Sequence, residues 1–262
     1  MHGSSPDGGA NGAIVVKLGG STLGTHDTSL SDCVTLHREG RRVVIVHGGG
    51  ATVSDWKRRL DVPTEWVDGL RKTTAESRDV VVAVLAGLVN TTLVQQLNRL
   101  GARAVGLSGA DAGLLCSPPS PRGLGLVGET PQADPALLHA LLDAGLLPVV
   151  APIGVTPDST ELLNINADTA AGAIATALPA EHVIFLSDVA GILDAGGALA
   201  PELDAARTSA WRESGVISGG MLPKVQSGHR AAEAGASARI VDGREAGAIP
   251  AALAGSGGTL VR

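Results

Sequence analysis

Short aliphatic runs without polar alternation, most of them stopped by glycine or a small polar residue, constrain this chain more than any other feature. Ala13-Ile14-Val15-Val16 stops at Lys17-Leu18-Gly19-Gly20-Ser21, and Val43-Val44-Ile45-Val46 stops at His47-Gly48-Gly49-Gly50. Ala104 to Leu107, Leu147 to Val150, Val183 to Leu186 and Ala238 to Val241 repeat the pattern. A strand with one wet face alternates apolar and polar residues, so runs that are apolar throughout read as strands covered on both faces. Helical patterns lie between them: Ser29 to Glu39, Pro135 to Ala144, Asp168 to Leu178 and Lys224 to Ala234. A longer one, Thr74 to Leu100, opens on Thr73-Thr74-Ala75-Glu76, which reads as a capping box, and closes at Gly101. Strands alternating with helices predict an α/β fold around a mainly parallel sheet. In such sheets ligands collect at the carboxyl ends of the strands, where each of these glycine-rich turns falls.

Composition narrows the partners. Aromatic residues are 2 % of the chain, so the core is expected to be aliphatic, and base-stacking surfaces are argued against. The formal charge is −6 with no basic stripe, which argues against nucleic acid or an anionic membrane as partner. Cys33 and Cys116 are too few for a disulfide framework or a thiolate metal site, which points to a reducing, cytoplasmic setting. No apolar run approaches the ~20 residues of a membrane helix. Residues 1–12 lack the apolar region of a signal peptide and read as a disordered tail. Asn90-Thr91-Thr92 matches a glycosylation sequon, which carries no weight in that setting. Nothing near Pro157 reads as a linker, so the portions 13–156 and 157–262 are expected to share one continuous sheet.

The turns carry the chemistry. Lys17-Leu18-Gly19-Gly20-Ser21 allows successive amides to form an anion nest beside an ammonium group; the plain alternative is a surface lysine on an ordinary turn. His47-Gly48-Gly49-Gly50 suits a second nest for a carboxylate or phosphate, with His47 more suited to structure than to proton transfer. Arg71, in Asp68-Gly69-Leu70-Arg71, can grip a carboxylate through two donors. Asn164-Ile165-Asn166-Ala167-Asp168 opens an apolar helix; one residue suffices as a cap, so the second Asn is surplus and points to a site. Ser218-Gly219-Gly220-Met221-Leu222-Pro223-Lys224 puts a lysine in the first turn of a helix, a position where a bound anion would offset the unfavourable dipole. Gly123-Leu124-Gly125-Leu126-Val127-Gly128 matches a dinucleotide fingerprint but follows a proline-rich loop, Ser117 to Pro121, rather than a strand.

Taken in order, the segments Lys17-Leu18-Gly19-Gly20, His47-Gly48-Gly49-Gly50, Gly69-Leu70-Arg71, Asn164 to Asp168, Leu186 to Leu193 and Gly219 to Lys224 resemble the amino-acid kinase family, across Ala13 to Arg262. Within it they are most similar to the branch that phosphorylates N-acetyl-L-glutamate. The resemblance implies a three-layer αβα sandwich, ATP and Mg²⁺ as co-substrates, and arginine biosynthesis as the setting. It implies that 13–156 binds acetylglutamate and dimerises, and that 157–262 binds the nucleotide. Lys17 and Lys224 would neutralise the transferring phosphoryl group, with Asp168 holding both. Gly49, Gly50, Arg71 and Asn164 would hold the substrate. Gly19, Gly20, Asp188, Val189, Ala190, Gly191, Ile192, Leu193, Val216, Ile217 and Ser218 would meet the nucleotide, and no side chain is expected to cage the metal. Ala51 stands where proline is common in the family, and the short glycine-rich start implies an arginine-insensitive homodimer whose long helix crosses its partner's copy. The nearest alternative is a sister kinase acting on carrier-linked α-aminoadipate. A non-catalytic sensor is disfavoured because Lys17, Asp168 and Lys224 are all present.

Overall fold

The computed structural model of the chain describes residues 12–19, 28–67 and 70–262. The expected tail, apart from Gly12, and Gly20 of the first nest lie outside them. Among the described residues the central sheet has eight strands. From one edge they run β13 (Glu202–Leu203), β15 (Thr259–Val261), β14 (Ser237–Asp242), β12 (His182–Ser187), β1 (Ile14–Leu18), β2 (Val43–His47), β9 (Leu147–Ala151) and β5 (Ala104–Ser108). Every neighbouring pair is parallel except β14 with β15. This sheet joins strands from both halves of the chain.

Successive side chains leave a strand on opposite faces, and the aliphatic runs use both. Val15, Val44, Val46, Val150, Val183, Phe185 and Ile240 pack with residues of α5 (Ala136–Asp143), α6 (Ala167–Ala177) and α8 (Met221–Glu233). Ile14, Val16, Leu18, Val43, Ile45, Val149, Ile184 and Leu186 pack on the other face with residues of α1 (Ser29–Arg38), α4 (Asn90–Arg99) and α9 (Ala248–Leu253). The result is the expected three-layer αβα sandwich. Lacking a polar face, the runs bury their side chains almost completely, which at ~1.5–3 kcal/mol per large aliphatic side chain is the main source of stability.

A second, five-stranded sheet comprises β7 (Val127–Gly128), β11 (Leu162–Ile165), β10 (Ile153–Val155), β6 (Leu115–Cys116) and β8 (Gln132–Ala133), in that order. A separate hairpin pairs β3 (Glu65–Val67) with β4 (Leu70–Lys72). Gly123 and Gly125 turn with positive φ, and Gly125 bridges to Thr73. The segment is a turn beside β7, not the strand-to-helix turn of a dinucleotide site.

Several boundaries differ from the sequence reading. Helix α2 (Gly50–Arg59) begins inside the glycine triplet, and α7 (Ala205–Glu213) and α9 had no clear sequence signal. The long helix is capped by Thr74, which accepts from the Ser77 amide, rather than by Thr73. Thr73 is committed elsewhere: its backbone pairs with Leu124 and Leu126. The long helix runs through α3 (Ala75–Val82), a π-helical stretch from Ala83 to Val89, and α4. Helix α8 starts at Met221 rather than at Lys224, because Pro223 has no amide hydrogen to lose in a first turn.

The expectation that no stretch reaches membrane length is corrected. Ala75–Arg99 is 25 residues long with a mean hydropathy of 1.8 over an 18-residue window. Part of its apolar surface, 39 % of that window, is buried inside the fold. Val80, Val81, Val84 and Leu85 join a satellite cluster with Val53 and Ile153, and Leu93 and Leu97 join the core beneath α1.

Candidate active site

Because the strands are parallel, β1, β2, β9 and β12 all deliver their carboxyl ends to one edge. Lys17 lies next to the end of β1, Asp168 in the first turn of α6 and Lys224 near the start of α8. The structure brings these three together. Lys17 Nζ is 3.0 Å and Lys224 Nζ 2.9 Å from Asp168 Oδ1. They are 8 %, 5 % and 6 % exposed for Lys17, Lys224 and Asp168, so solvent screens the group little. Burial alone would raise the Asp168 carboxyl; the ammonium groups of Lys17 and Lys224 reverse this and hold it below its ordinary value. Burial, with Lys17 alongside, pushes the Lys224 ammonium down, and Asp168 opposes that only in part. The helix dipole that disfavours Lys224 is thus met by a carboxylate of the protein itself. One carboxylate between two ammonium groups leaves a net positive centre, which suits an anion.

A cavity of about 200 Å³ adjoins this cluster. It is lined by Gly49, Gly50, Arg71 and Asn164, together with Asn166 and Ala167, which immediately precede Asp168. All of the expected substrate residues therefore meet. Arg71 is 8 % exposed, and burial pushes its guanidinium below its ordinary pKa. It donates to Ser54 Oγ at 2.9 Å, which ties the β3–β4 hairpin to α2. Asn164 donates to Thr73 Oγ1 at 3.2 Å. Asn166 is the cap of α6: its Oδ1 accepts from the Asp168 and Thr169 amides at 2.9 and 3.1 Å. The surplus Asn of the motif is therefore Asn164, on the cavity wall.

Gly49 has φ +153, a conformation L side chains rarely adopt, and a Cβ there would come within 2.6 Å of Leu85 Cδ2. Gly50 has ordinary φ and open space around a built Cβ. Gly49→Ala is expected to lose about 1–3 kcal/mol of stability, and Gly50→Ala less than ~1 kcal/mol. Urea melts of the two variants check this; equal midpoints would contradict the assigned backbone strain.

The residues expected to meet the nucleotide are less tightly gathered. Asp188, Val189, Ala190 and Gly191 follow β12, with Asp188 and Ala190 exposed. Ile192 and Ile217 are 2 % and 1 % exposed and belong to the core, so their side chains are packed inside the fold. Leu193 and Ser218 are exposed and Val216 is half-buried. Neither segment lines the cavity holding Arg71.

Sequence reasoning missed a second cavity of about 630 Å³, which shares Val127 and Asn166 with the first. Arg122, Arg212 and Arg230 line it, together with Thr169, Gly219 and Pro223. These arginines come from separate elements and leave no local signature. Lys57 was missed too; it is 1 % exposed and donates to Ser77 Oγ at 2.8 Å.

Comparison with known proteins identifies the family. The model of the "Amino acid kinase family" matches residues 12–242. The chain is 46 % identical over 253 residues to the acetylglutamate kinase of Gluconacetobacter diazotrophicus, covering 90 % of this chain and 80 % of that relative. It is 42 % identical over 241 residues to the acetylglutamate kinase of Dehalococcoides mccartyi, covering 90 % of this chain and 89 % of that relative. Among solved structures, smu.665 from Streptococcus mutans superposes with a TM-score of 0.81 at 26 % identity, over 95 % of this chain and 98 % of that one.

Proposed function

The chain belongs to the amino acid kinase family, and on that premise we propose that it transfers the γ-phosphoryl group of ATP to the side-chain carboxylate of N-acetyl-L-glutamate. The observation that carries this reading is the Asp168 carboxylate holding two buried ammonium groups beside a cavity lined by glycine amides, Arg71 and Asn164. ATP and an acidic acceptor repel each other. Phosphoryl transfer therefore needs positioning and charge stabilisation more than covalent chemistry. The acceptor carboxylate is already ionised at neutral pH, so no general base is required.

In this reading Arg71 and Asn164 hold the α-carboxylate end of the acceptor, and the amides of Gly49 and Gly50 hold its reacting end. Lys17 and Lys224 offset the charge that develops on the transferring group, and Asp168 fixes both ammonium groups. Gly19 and Gly20 cradle the phosphates. The segments Asp188 to Leu193 and Val216 to Ser218 receive the nucleotide, which makes 157–262 the nucleotide lobe and 13–156 the acceptor lobe. Asp168 is engaged by two lysines, which fits Mg²⁺ that enters on the phosphates of ATP. The exposed side of the long helix presents Ala83, Gly87 and Leu88, which fits a homodimer formed across that helix. Two free cysteines fit a cytoplasmic setting.

ADP release by the purified protein with Mg-ATP tests the substrate. N-acetyl-L-glutamate is expected to support turnover well above L-glutamate, N-acetyl-L-aspartate or no acceptor. Equal rates across that panel would sink the assignment. Turnover only with carrier-linked α-aminoadipate would move the protein to the sister reaction.

A further inference from the structure

The cavity-lining glycine loop is held from behind by two buried polar side chains that the phosphoryl-transfer reading does not use. His47, at the end of β2, is 1 % exposed. Its Nδ1 lies 2.8 Å from the carbonyl oxygen of Gly48. A carbonyl only accepts, so Nδ1 carries the hydrogen. Its Nε2 lies 3.1 Å from Nδ2 of Asn90, a buried residue at the start of α4. The same amide group donates to the Val149 carbonyl at 2.8 Å. That bond fixes which way the Asn90 carboxamide points, so its second hydrogen meets the lone pair of Nε2. The missing side chain of Gly106 makes room for this arrangement: a Cβ there would stand 2.0 Å from Asn90 Oδ1. The ring is therefore a neutral imidazole with one defined tautomer.

The consequence lies in the peptide plane. The C=O of Gly48 and the N–H of Gly49 belong to one trans peptide and point in opposite directions. Holding the carbonyl inward turns the Gly49 N–H outward, and Gly49 lines the cavity beside Arg71. Among the described residues no acceptor meets the Gly49 N–H, which leaves it available at the N-terminal end of α2.

We infer that His47 is a positioning residue: its Nδ1–H, with the tautomer set by Asn90, locks the Gly48–Gly49 peptide so that the Gly49 amide meets an oxygen of the reacting groups. This inference rests on the phosphoryl-transfer reading for the identity of that oxygen, but the tautomer stands independently of activity. Burial pushes the imidazole pKa below its ordinary value, while the bond to Gly48 opposes this in part. Burial thus works in the same direction as the geometry.

The test combines ¹⁵N-histidine NMR of the full protein with kinetics of two variants. His47 signals, assigned by their loss in His47→Asn, are expected to report an Nδ1–H neutral ring at neutral pH. An Nε2–H ring or an imidazolium would overturn the inference. His47→Leu is expected to lower kcat by about 10–100-fold, short of the cost of deleting a transition-state donor outright, with KM for ATP changed less than ~2-fold. His47→Asn, whose side-chain amide reaches the position of Nδ1–H, is expected to recover at least about ten-fold of that loss. Equal losses in both variants would also overturn it. If the parent protein turns over no acceptor, the phosphoryl-transfer reading fails, and the NMR result still decides whether the peptide is locked.

Discussion

Replacing Lys224 with Ala is expected to slow turnover by about 10²–10⁴-fold, the range for removing a preorganised cation from a charge-developing reaction. The fold should survive, because Asp168 keeps Lys17 at 3.0 Å and is not left as a lone buried charge. Lys17→Ala is expected to behave alike, since its ammonium contacts the same carboxylate oxygen. Steady-state kinetics on folded variants check both. The loss should fall mainly on kcat, because in the proposed transfer both lysines act on charge that grows towards the transition state. A variant with near-parental kcat would remove that lysine from the reaction.

Asp168→Ala should harm both function and folding. It leaves two ammonium groups buried near one another without the carboxylate that holds them. Breaking a buried ion pair from one side costs about 3–5 kcal/mol. Equilibrium unfolding should show a loss of that order, and turnover should fall at least as far as in the lysine variants. The acid dependence gives a second reading. The folded carboxyl lies below its ordinary value, with burial opposing and Lys17 and Lys224 prevailing. Its stabilising contribution is therefore present above the unfolded pKa of about 4 and is lost as pH falls through the lower, folded value. Asp168→Asn should flatten the acid limb of the stability profile. An unchanged limb, or a stable Asp168→Ala protein, would contradict the charge balance described for this cluster.

The parts of the fold that were legible in the sequence are those fixed by local chemistry. Strands buried on both faces must be apolar throughout, so β1, β2, β9, β12 and β14 announced themselves, as did the turns at their ends. The Asn164-to-Asp168 segment was legible as a surplus of polar groups before an apolar helix, and the structure divides that surplus into a cap, Asn166, and a cavity residue, Asn164. The second sheet was not legible, because strands as short as Leu115–Cys116 and Val127–Gly128 are too brief to show a period. Helix α2 was hidden because its cap is Gly49 and its first residue Gly50, which read equally well as loop. The cap of the long helix was misplaced by one residue because Thr73 and Thr74 are chemically alike, and only long-range pairing with Leu124 and Leu126 decides between them. The bond between His47 and Asn90 joins residues 43 apart and has no sequence signature.

The most direct measurement of the central claim identifies the product. Incubation with Mg-ATP, N-acetyl-L-glutamate and hydroxylamine converts an acyl phosphate into a stable hydroxamate at the same carbon. The account predicts the side-chain hydroxamate of N-acetyl-L-glutamate, formed in step with ADP and absent in Lys224→Ala over the same interval. ADP without hydroxamate, or hydroxamate on the α-carboxyl group, would contradict it.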